Sequence, residues 1–100
     1  MKKNEIPRVL VIDDIDNVAT SLVALTAGLA VSVERRATAE HVVLRDDIPV
    51  GHKFALDPIA KGEPVYKYGV VIARATTAIS PGQHVHVHNV ESNRGRGDRP

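Results

Sequence analysis

Histidine and valine alternate through one short stretch of this chain, residues 83–89 (Gln-His-Val-His-Val-His-Asn). Successive side chains of a strand point to opposite faces, so the alternation predicts a strand with an imidazole face and a buried valine face. The imidazole face consists of His84, His86 and His88, and the buried face of Val85 and Val87. A helix would distribute the three rings around its axis. Three imidazoles on one face could bind a metal ion, carry protons or hydrogen-bond an anion near neutral pH.

A second group of polar residues, near the N-terminus, could also do chemistry. Asp13, Asp14, Asp16 and Asn17 form an acidic cluster directly after a short apolar run. Paired carboxylates could bind a cation, but short segments rich in Asp and Asn more often hydrogen-bond nearby backbone groups. The backbone role is the favoured interpretation.

A recurring glycine-centred pattern predicts the elements that must position these residues. An aliphatic residue, two others, glycine, two others and an apolar residue recur over 25–31, 48–54, 59–65 and 79–85. The glycine permits the positive φ of a tight turn, Pro49 and Pro81 favour turn geometry, and the final apolar residue returns to the core in a strand. Further strands are predicted over 8–13, 41–44, 64–68 and 70–73, with a polar connector over 36–40. Segment 18–25 could be a strand or one to two helical turns. The prediction is a mainly β domain with at most one or two short helices.

Composition narrows the class of protein. The chain has 100 residues and is 43% hydrophobic. It carries 13 basic and 12 acidic residues, and this nearly balanced charge does not favour nucleic acid or membrane as a partner. Cysteine is absent, which excludes disulfides and thiolate metal sites. With no apolar run long enough to span a bilayer and no secretory segment, we expect a cytoplasmic protein. We expect one domain over residues 1–90 and a flexible basic arm over 91–100, which contains no aliphatic anchor.

Residues 41–98 resemble the small SAF-type domain of the altronate/galactarate dehydratase family, close to the small subunit of two-chain members such as sulfolactate sulfo-lyase. The resemblance rests on the order and spacing of motifs at 48–53 (Ile-Pro-Val-Gly-His-Lys), 59–65 (Ile-Ala-Lys-Gly-Glu-Pro-Val), 67–69 (Lys-Tyr-Gly), 72–76 and 86–89 (His-Val-His-Asn). It implies a β-clip fold of short strands and long hairpins. It also implies a lyase, either a carbon–oxygen hydro-lyase or a carbon–sulfur lyase, that eliminates water or sulfite from a sugar acid or hydroxy acid.

The same resemblance implies a division of labour between two chains. Much of the family's catalytic apparatus lies in a large domain that this chain lacks, so we expect the chain to be inactive alone and to pair with a large catalytic subunit. A divalent metal, iron or another divalent cation, is expected mainly on that large subunit, with His86 and His88 adding ligands from this chain.

Elimination next to a carboxylate assigns roles to the matched residues. It needs a base for the Cα proton, an acid for the leaving group and positive charge for the enediolate. We predict that the catalytic residues are His52, His86 and His88. We predict that the residues binding substrate are Lys53, Lys67, Tyr68 and Asn89. His84 departs from the family pattern, and we expect it to have no function.

Two other interpretations stay open. The chain could be a stand-alone module that binds a carbohydrate or an acidic small molecule without catalysis. It could also be an assembly domain that forms a homo-oligomer through an exposed strand edge, because unpaired edges template strand pairing.

Overall fold

The computed structural model describes residues 8–92 and builds them from strands, turns and loops. In chain order the strands are β1 Val9–Leu10, β2 Val18–Ser21, β3 Ala30–Arg35, β4 Thr38–Val43, β5 Lys53–Ala55, β6 Pro64–Lys67, β7 Val70–Ala75, β8 His84–Val85 and β9 Val90–Ser92. Within residues 8–92 there is no helix long and apolar enough to cross a lipid bilayer. The prediction of a mainly β domain is confirmed. Segment 18–25, for which a strand and a short helix were both possible, begins with a strand.

A central four-stranded sheet, in the order β1-β2-β5-β8, organises the molecule. Side chains of β2 and β5 alternate between its two faces, so Ala19 and Phe54 enter one core while Val18 and Ala55 enter the other. The β3–β4 hairpin covers the first core and the β6-β7-β9 sheet covers the second. All strand pairs are antiparallel.

The four glycine-centred copies form four tight turns of the same kind. The carbonyl of the first turn residue accepts the N–H of the fourth in Thr26–Leu29, Pro49–His52, Ala60–Glu63 and Ser80–Gln83, at 3.2, 3.0, 2.9 and 3.1 Å. The glycine is third in each turn, with φ between 82° and 90°, as a type II turn requires. The copies pair through two antiparallel bridges, Leu25 with Ile48 and Ile59 with Ile79. Pro81 takes the second turn position, where its ring presets φ, whereas Pro49 takes the first.

Two predicted element boundaries change. The strand predicted over 8–13 is only β1, because the backbone of Asp16 donates to the carbonyl of Asp13 in a turn. The connector predicted over 36–40 contracts to Arg36 and Ala37, both at positive φ, and β4 begins at Thr38. β9 ends at Ser92, and residues 93–100 of the predicted arm, like residues 1–7, lie outside the described residues, so the division into a domain and an arm stays a prediction.

Candidate functional site

The histidine-valine stretch is a strand only at its start. β8 ends at Val85, and residues 86–89 form a turn, so the prediction of a strand through His88 is wrong. Val87, predicted to be buried, is 81% exposed. The physical reason is Asn89, whose Oδ1 accepts the His86 N–H at 3.0 Å and whose Nδ2 donates to the His84 carbonyl at 2.8 Å. An asparagine side chain that binds nearby backbone groups competes with the sheet hydrogen bonds a longer strand would need.

The turn nevertheless keeps the imidazoles together and adds a fourth. His52 Nδ1 and His84 Nε2 lie 2.9 Å apart in a hydrogen bond in which one nitrogen donates and the other accepts. The His52 ring centroid is 4.2 Å from that of His86, with the planes 20° apart. The His84 centroid is 5.5 Å from that of His86 and 5.3 Å from that of His88. We call His52, His84, His86 and His88 the histidine cluster.

Strand register and backbone contacts bring His52 to the cluster. β5 pairs with β8 so that Lys53 lies opposite Val85 and Phe54 opposite His84, which places His52 beside the turn that follows β8. The His52 carbonyl accepts the backbone N–H of Ser21 at 2.8 Å, and the Ser21 hydroxyl donates to the Pro49 carbonyl at 2.7 Å in the turn before it. The backbone of the cluster is therefore anchored to the central sheet.

Two histidines of the cluster, His84 and His86, are biased toward the neutral form. Burial, followed by the positive charge that His52 and His88 would carry, lowers the pKa of His84 below 6.5. Burial also lowers the pKa of His86, and the nearby His52 and Lys53 add to the effect. Neutral imidazoles can accept a proton or bind a metal ion, so at neutral pH these rings are in the state that such chemistry uses.

Positive charge lies next to the cluster. Lys53 is half-buried, and burial together with the nearby charge of Lys67 lowers its pKa. It shares with His86 a groove of about 230 Å³ whose other walls are mainly aliphatic, including Val65, Ile72, Val85, Val87 and Val90. The Lys67 ammonium lies 4.7 Å from the centre of the Tyr68 ring. A carboxylate at the mouth of this groove would meet one ammonium group and one imidazole.

Asn89 and Asp46 hold the backbone of the cluster. Asn89 is 1% exposed and both ends of its amide bind backbone groups, so it positions His84 and His86, and its contact with substrate stays a prediction. His84, for which no function was expected, lies at the centre of the cluster. The alternating pattern itself contained the signal for His84. Nothing in the sequence pointed to Asp46, whose Oδ2 accepts the backbone N–H of His84 at 2.8 Å.

The acidic cluster has the backbone role that was favoured. Asp16 is buried, and its carboxylate accepts the N–H groups of Tyr68 and Gly69 at 3.1 and 2.9 Å. Asp14 Oδ1 accepts the N–H of Arg36 at 3.0 Å. These contacts span much more of the chain than the local turn that was expected.

Three rings of the cluster have nitrogen atoms close enough together for a metal site. One side-chain nitrogen from each of His52, His84 and His86 lies within 4.8 Å of the other two. Imidazole nitrogen is a donor that divalent transition metals prefer. The structure therefore groups His86 with His52 and His84, and leaves the expected ligand His88 outside this set.

Comparison with known proteins gives a consistent result. Residues 7–93 match the family model of the altronate/galactarate dehydratase SAF domain. The chain is 48% identical over 79 residues to altronate dehydratase of Escherichia coli K12, a match that covers 79% of this chain and 15% of the relative. It is 49% identical over 51 residues to (2R)-sulfolactate sulfo-lyase subunit alpha of Chromohalobacter salexigens, covering 51% of this chain and 54% of the relative. The corresponding subunit of Paracoccus pantotrophus is 42% identical over 48 residues, which is 72% of its length.

Proposed function

The chain belongs to the family of altronate/galactarate dehydratase SAF domains, and on that premise we propose that it is the small subunit of a lyase. The reaction is elimination of water or sulfite from a sugar acid or hydroxy acid, at a site that a large catalytic subunit completes. The region matched to altronate dehydratase is a small part of that long chain. The shorter region matched to (2R)-sulfolactate sulfo-lyase subunit alpha is about half of that subunit. Both lengths support a domain that works beside a larger catalytic body.

The histidine cluster is the observation that carries this proposal. Elimination next to a carboxylate moves two protons, one from the Cα carbon to a base and one from an acid to the departing oxygen. His86 lies at the groove and is biased toward the neutral form, so we assign it the role of proton acceptor. When the hydrogen-bonded pair His52 and His84 carries one extra proton, it is the proton donor on this chain, because giving that proton to the departing oxygen returns both rings to the neutral form.

The lysine next to the cluster provides charge for the substrate. Lys53 stands at the groove beside His86 and would bind the carboxylate. Lys67 acts electrostatically on Lys53 and lies against the Tyr68 ring, and neither Lys67 nor Tyr68 lines the groove. A divalent metal, when bound, would stabilise the negative charge of the enediolate. The large subunit would supply the remaining walls of the site, and the chain alone would be inactive.

Reconstitution with the large subunit tests the proposal. We expect the co-expressed complex to release a 2-keto-3-deoxy acid from altronate or galactarate, or sulfite from sulfolactate. His86→Gln should lower kcat by about 100-fold or more, the effect of losing a general acid or base. His41→Gln is the matched control, because His41 is exposed on β4 and outside the cluster. Unchanged turnover in both His86→Gln and His52→Gln would show that the cluster takes no part in the reaction.

A binding module without catalysis is the second candidate. The half-buried Lys53 beside the groove favours it, because one ammonium group at an apolar groove can hold a small acid. Calorimetry of the isolated chain with galactarate and sulfolactate separates the two functions. Tight binding to the chain alone, with no turnover in the complex, supports the module.

A further inference from the structure

We propose that His52, His84 and His86 form a metal site that is complete within this chain and binds one divalent transition ion, such as Zn²⁺ or Co²⁺, with an open coordination position toward solvent. The inference concerns the chain's own ligands and does not need the lyase assignment. An imidazole that binds the ion cannot also accept or donate a proton at the same nitrogen, so the ion-bound chain is a separate state from the one that moves protons in the proposed elimination. It differs from the expectation of a metal held mainly by a partner chain, since these ligands come from two elements of one domain.

Distance and donor type carry the inference. One nitrogen from each ring lies within 4.8 Å of the other two, a spread that a single ion can bridge with nitrogen bonds of about 2.0–2.1 Å after small shifts. Three imidazoles and no carboxylate select a transition ion over Mg²⁺ or Ca²⁺, which prefer oxygen ligands. Three protein ligands with a fourth position left open are typical of catalytic zinc sites.

The backbone around the three rings is already fixed, so binding would not require folding of a loop. The backbone N–H of His84 donates to the Asp46 carboxylate. The Asn89 side-chain amide donates to the His84 carbonyl and accepts the backbone N–H of His86. The His52 carbonyl accepts the backbone N–H of Ser21. Rigid outer contacts of this kind raise metal affinity because less conformational freedom is lost on binding.

Only the rings have to move. The planes of His52, His84 and His86 are 11° to 20° apart, so their lone pairs do not yet converge on one point. Rotation about χ2 would converge them, and this torsion has a broad, shallow profile in histidine. The hydrogen bond between His52 and His84 would break as both nitrogens turn to the ion.

His88 lies next to the site but outside the ligand set. Its ring centroid is 5.3 Å from that of His84, with the planes tilted by 35°, and its side chain is exposed. It therefore serves as a stringent control: it shares the charge and surroundings of the cluster but not the ligand geometry. His41, on β4 and away from the cluster, controls for nonspecific imidazole binding.

Titration of the full, metal-free chain with Co²⁺ tests the proposal, with the visible d–d spectrum and calorimetry as readouts. We expect saturation at one ion per chain, displacement by Zn²⁺ and no response to Mg²⁺. His52→Gln, His84→Gln and His86→Gln should each weaken binding by at least the roughly 10- to 100-fold seen when an outer partner of a metal ligand is lost. His88→Gln and His41→Gln should change affinity less than about 3-fold, and circular dichroism should show that every variant is folded.

Several outcomes would overturn the site. They are the absence of a Co²⁺ spectrum at millimolar metal, equal loss of affinity in His41→Gln, or a stoichiometry of one ion per two chains. Because these measurements use the isolated chain, they separate the metal site from the lyase function. A cluster that binds no metal but whose His86→Gln variant is inactive in the complex overturns the site alone, and metal binding with full activity in His86→Gln overturns the function alone.

Discussion

At the scale of single residues, Gly82 determines where β8 begins and hence where the histidine cluster is presented. It is buried at φ 86°, its N–H donates to the Ala55 carbonyl, and its own carbonyl accepts the Arg45 N–H. A Cβ at this position would collide with the carbonyl oxygen of Val43. Gly82 therefore docks the turn before the cluster on the end of the β3–β4 hairpin.

Gly82 and Gly62 make a matched pair for mutation. Both have a positive φ near 87°, but a Cβ at Gly62 meets no atom within 4 Å. We expect Gly62→Ala to lower the free energy of unfolding by about 1 to 2 kcal/mol from backbone strain alone. Gly82→Ala should lose about 1 to 3 kcal/mol more, because Val43 must move. Urea denaturation measures both, and equal losses would contradict the predicted collision.

The histidines also predict a pH dependence. The pKa of His84 is lowered in the fold by burial, then by its imidazole neighbours His52, His88 and His86, against an opposing effect of Asp46. Below pH 6.5 the unfolded chain therefore binds more protons at this site than the folded chain. Stability contributed by the neutral ring is complete above pH 6.5 and is lost as the pH falls toward the folded pKa.

Denaturation of the metal-free chain between pH 7.5 and pH 5 measures this effect. We expect the free energy of unfolding to fall across this window, and His84→Gln to flatten the slope. His41→Gln, at an exposed position on β4, should leave the slope unchanged. A wild-type slope retained in His84→Gln would contradict the assignment.

At the scale of elements, two hairpins share one acidic clamp. The β3–β4 hairpin turns at Arg36-Ala37 and the β6–β7 hairpin at Tyr68-Gly69, and all four residues have positive φ, the backbone of a type I′ turn. Residues other than glycine are strained in this conformation. Asp14 and Asp16 offset the strain by accepting the turn N–H groups. The clamp also holds Lys67 and Tyr68 at the tip of their hairpin.

Asp16 is the stronger half of that clamp. Asp16→Asn replaces one carboxylate oxygen by a donor that faces backbone N–H groups, so we expect a loss of about 1.5 to 3 kcal/mol in the free energy of unfolding. Asp14→Asn, which affects an exposed bond, should cost about 1 kcal/mol or less. Hydrogen exchange provides a local readout: the Tyr68 and Gly69 amides should lose protection in Asp16→Asn. Unchanged protection would show that the carboxylate does not hold the turn.

At the scale of the whole molecule, one buried arginine joins the first hairpin to the rest. Arg35 is 4% exposed and donates two hydrogen bonds of 2.9 Å to Asp57, two of 3.0 and 3.3 Å to Glu40 and one of 2.8 Å to the Asp16 carbonyl. The bonds to Asp57 are the largest cause that raises the pKa of Arg35 above its usual value. The guanidinium therefore stays charged and ties β3 to the loop after β5 and to the acidic clamp.

Removing that charge should weaken the entire fold. We expect Arg35→Met to lower the free energy of unfolding by about 3 kcal/mol, near the low end for a broken buried ion pair, because both carboxylates keep partial contact with water. Arg74→Met is the control, since Arg74 is exposed and makes one side-chain bond of 3.3 Å to a carbonyl. Thermal unfolding compares the two, and a similar small loss in both would contradict a central role for Arg35.

Local patterns in the sequence determined the turns, the fold class and the position of the imidazole-rich segment of this protein. The four glycine turns, the mainly β class and the grouping of His84, His86 and His88 depend on interactions between residues close in the chain, and these can be recognised from type and spacing. The same reasoning extended the strand too far, because the effect of the Asn89 amide on the His84 and His86 backbone depends on its orientation in the fold.

Only the tertiary structure decided which distant residues meet. The register of β5 against β8 brings His52 to His84 across 32 positions, and packing brings Asp16 to Gly69 across 53. Spacing along the chain does not predict these pairs, because they depend on how two hydrophobic cores pack on opposite faces of one sheet. The sequence alone therefore determined that the chain has an imidazole-rich segment, and long-range packing decided that this segment belongs to a cluster of four rings.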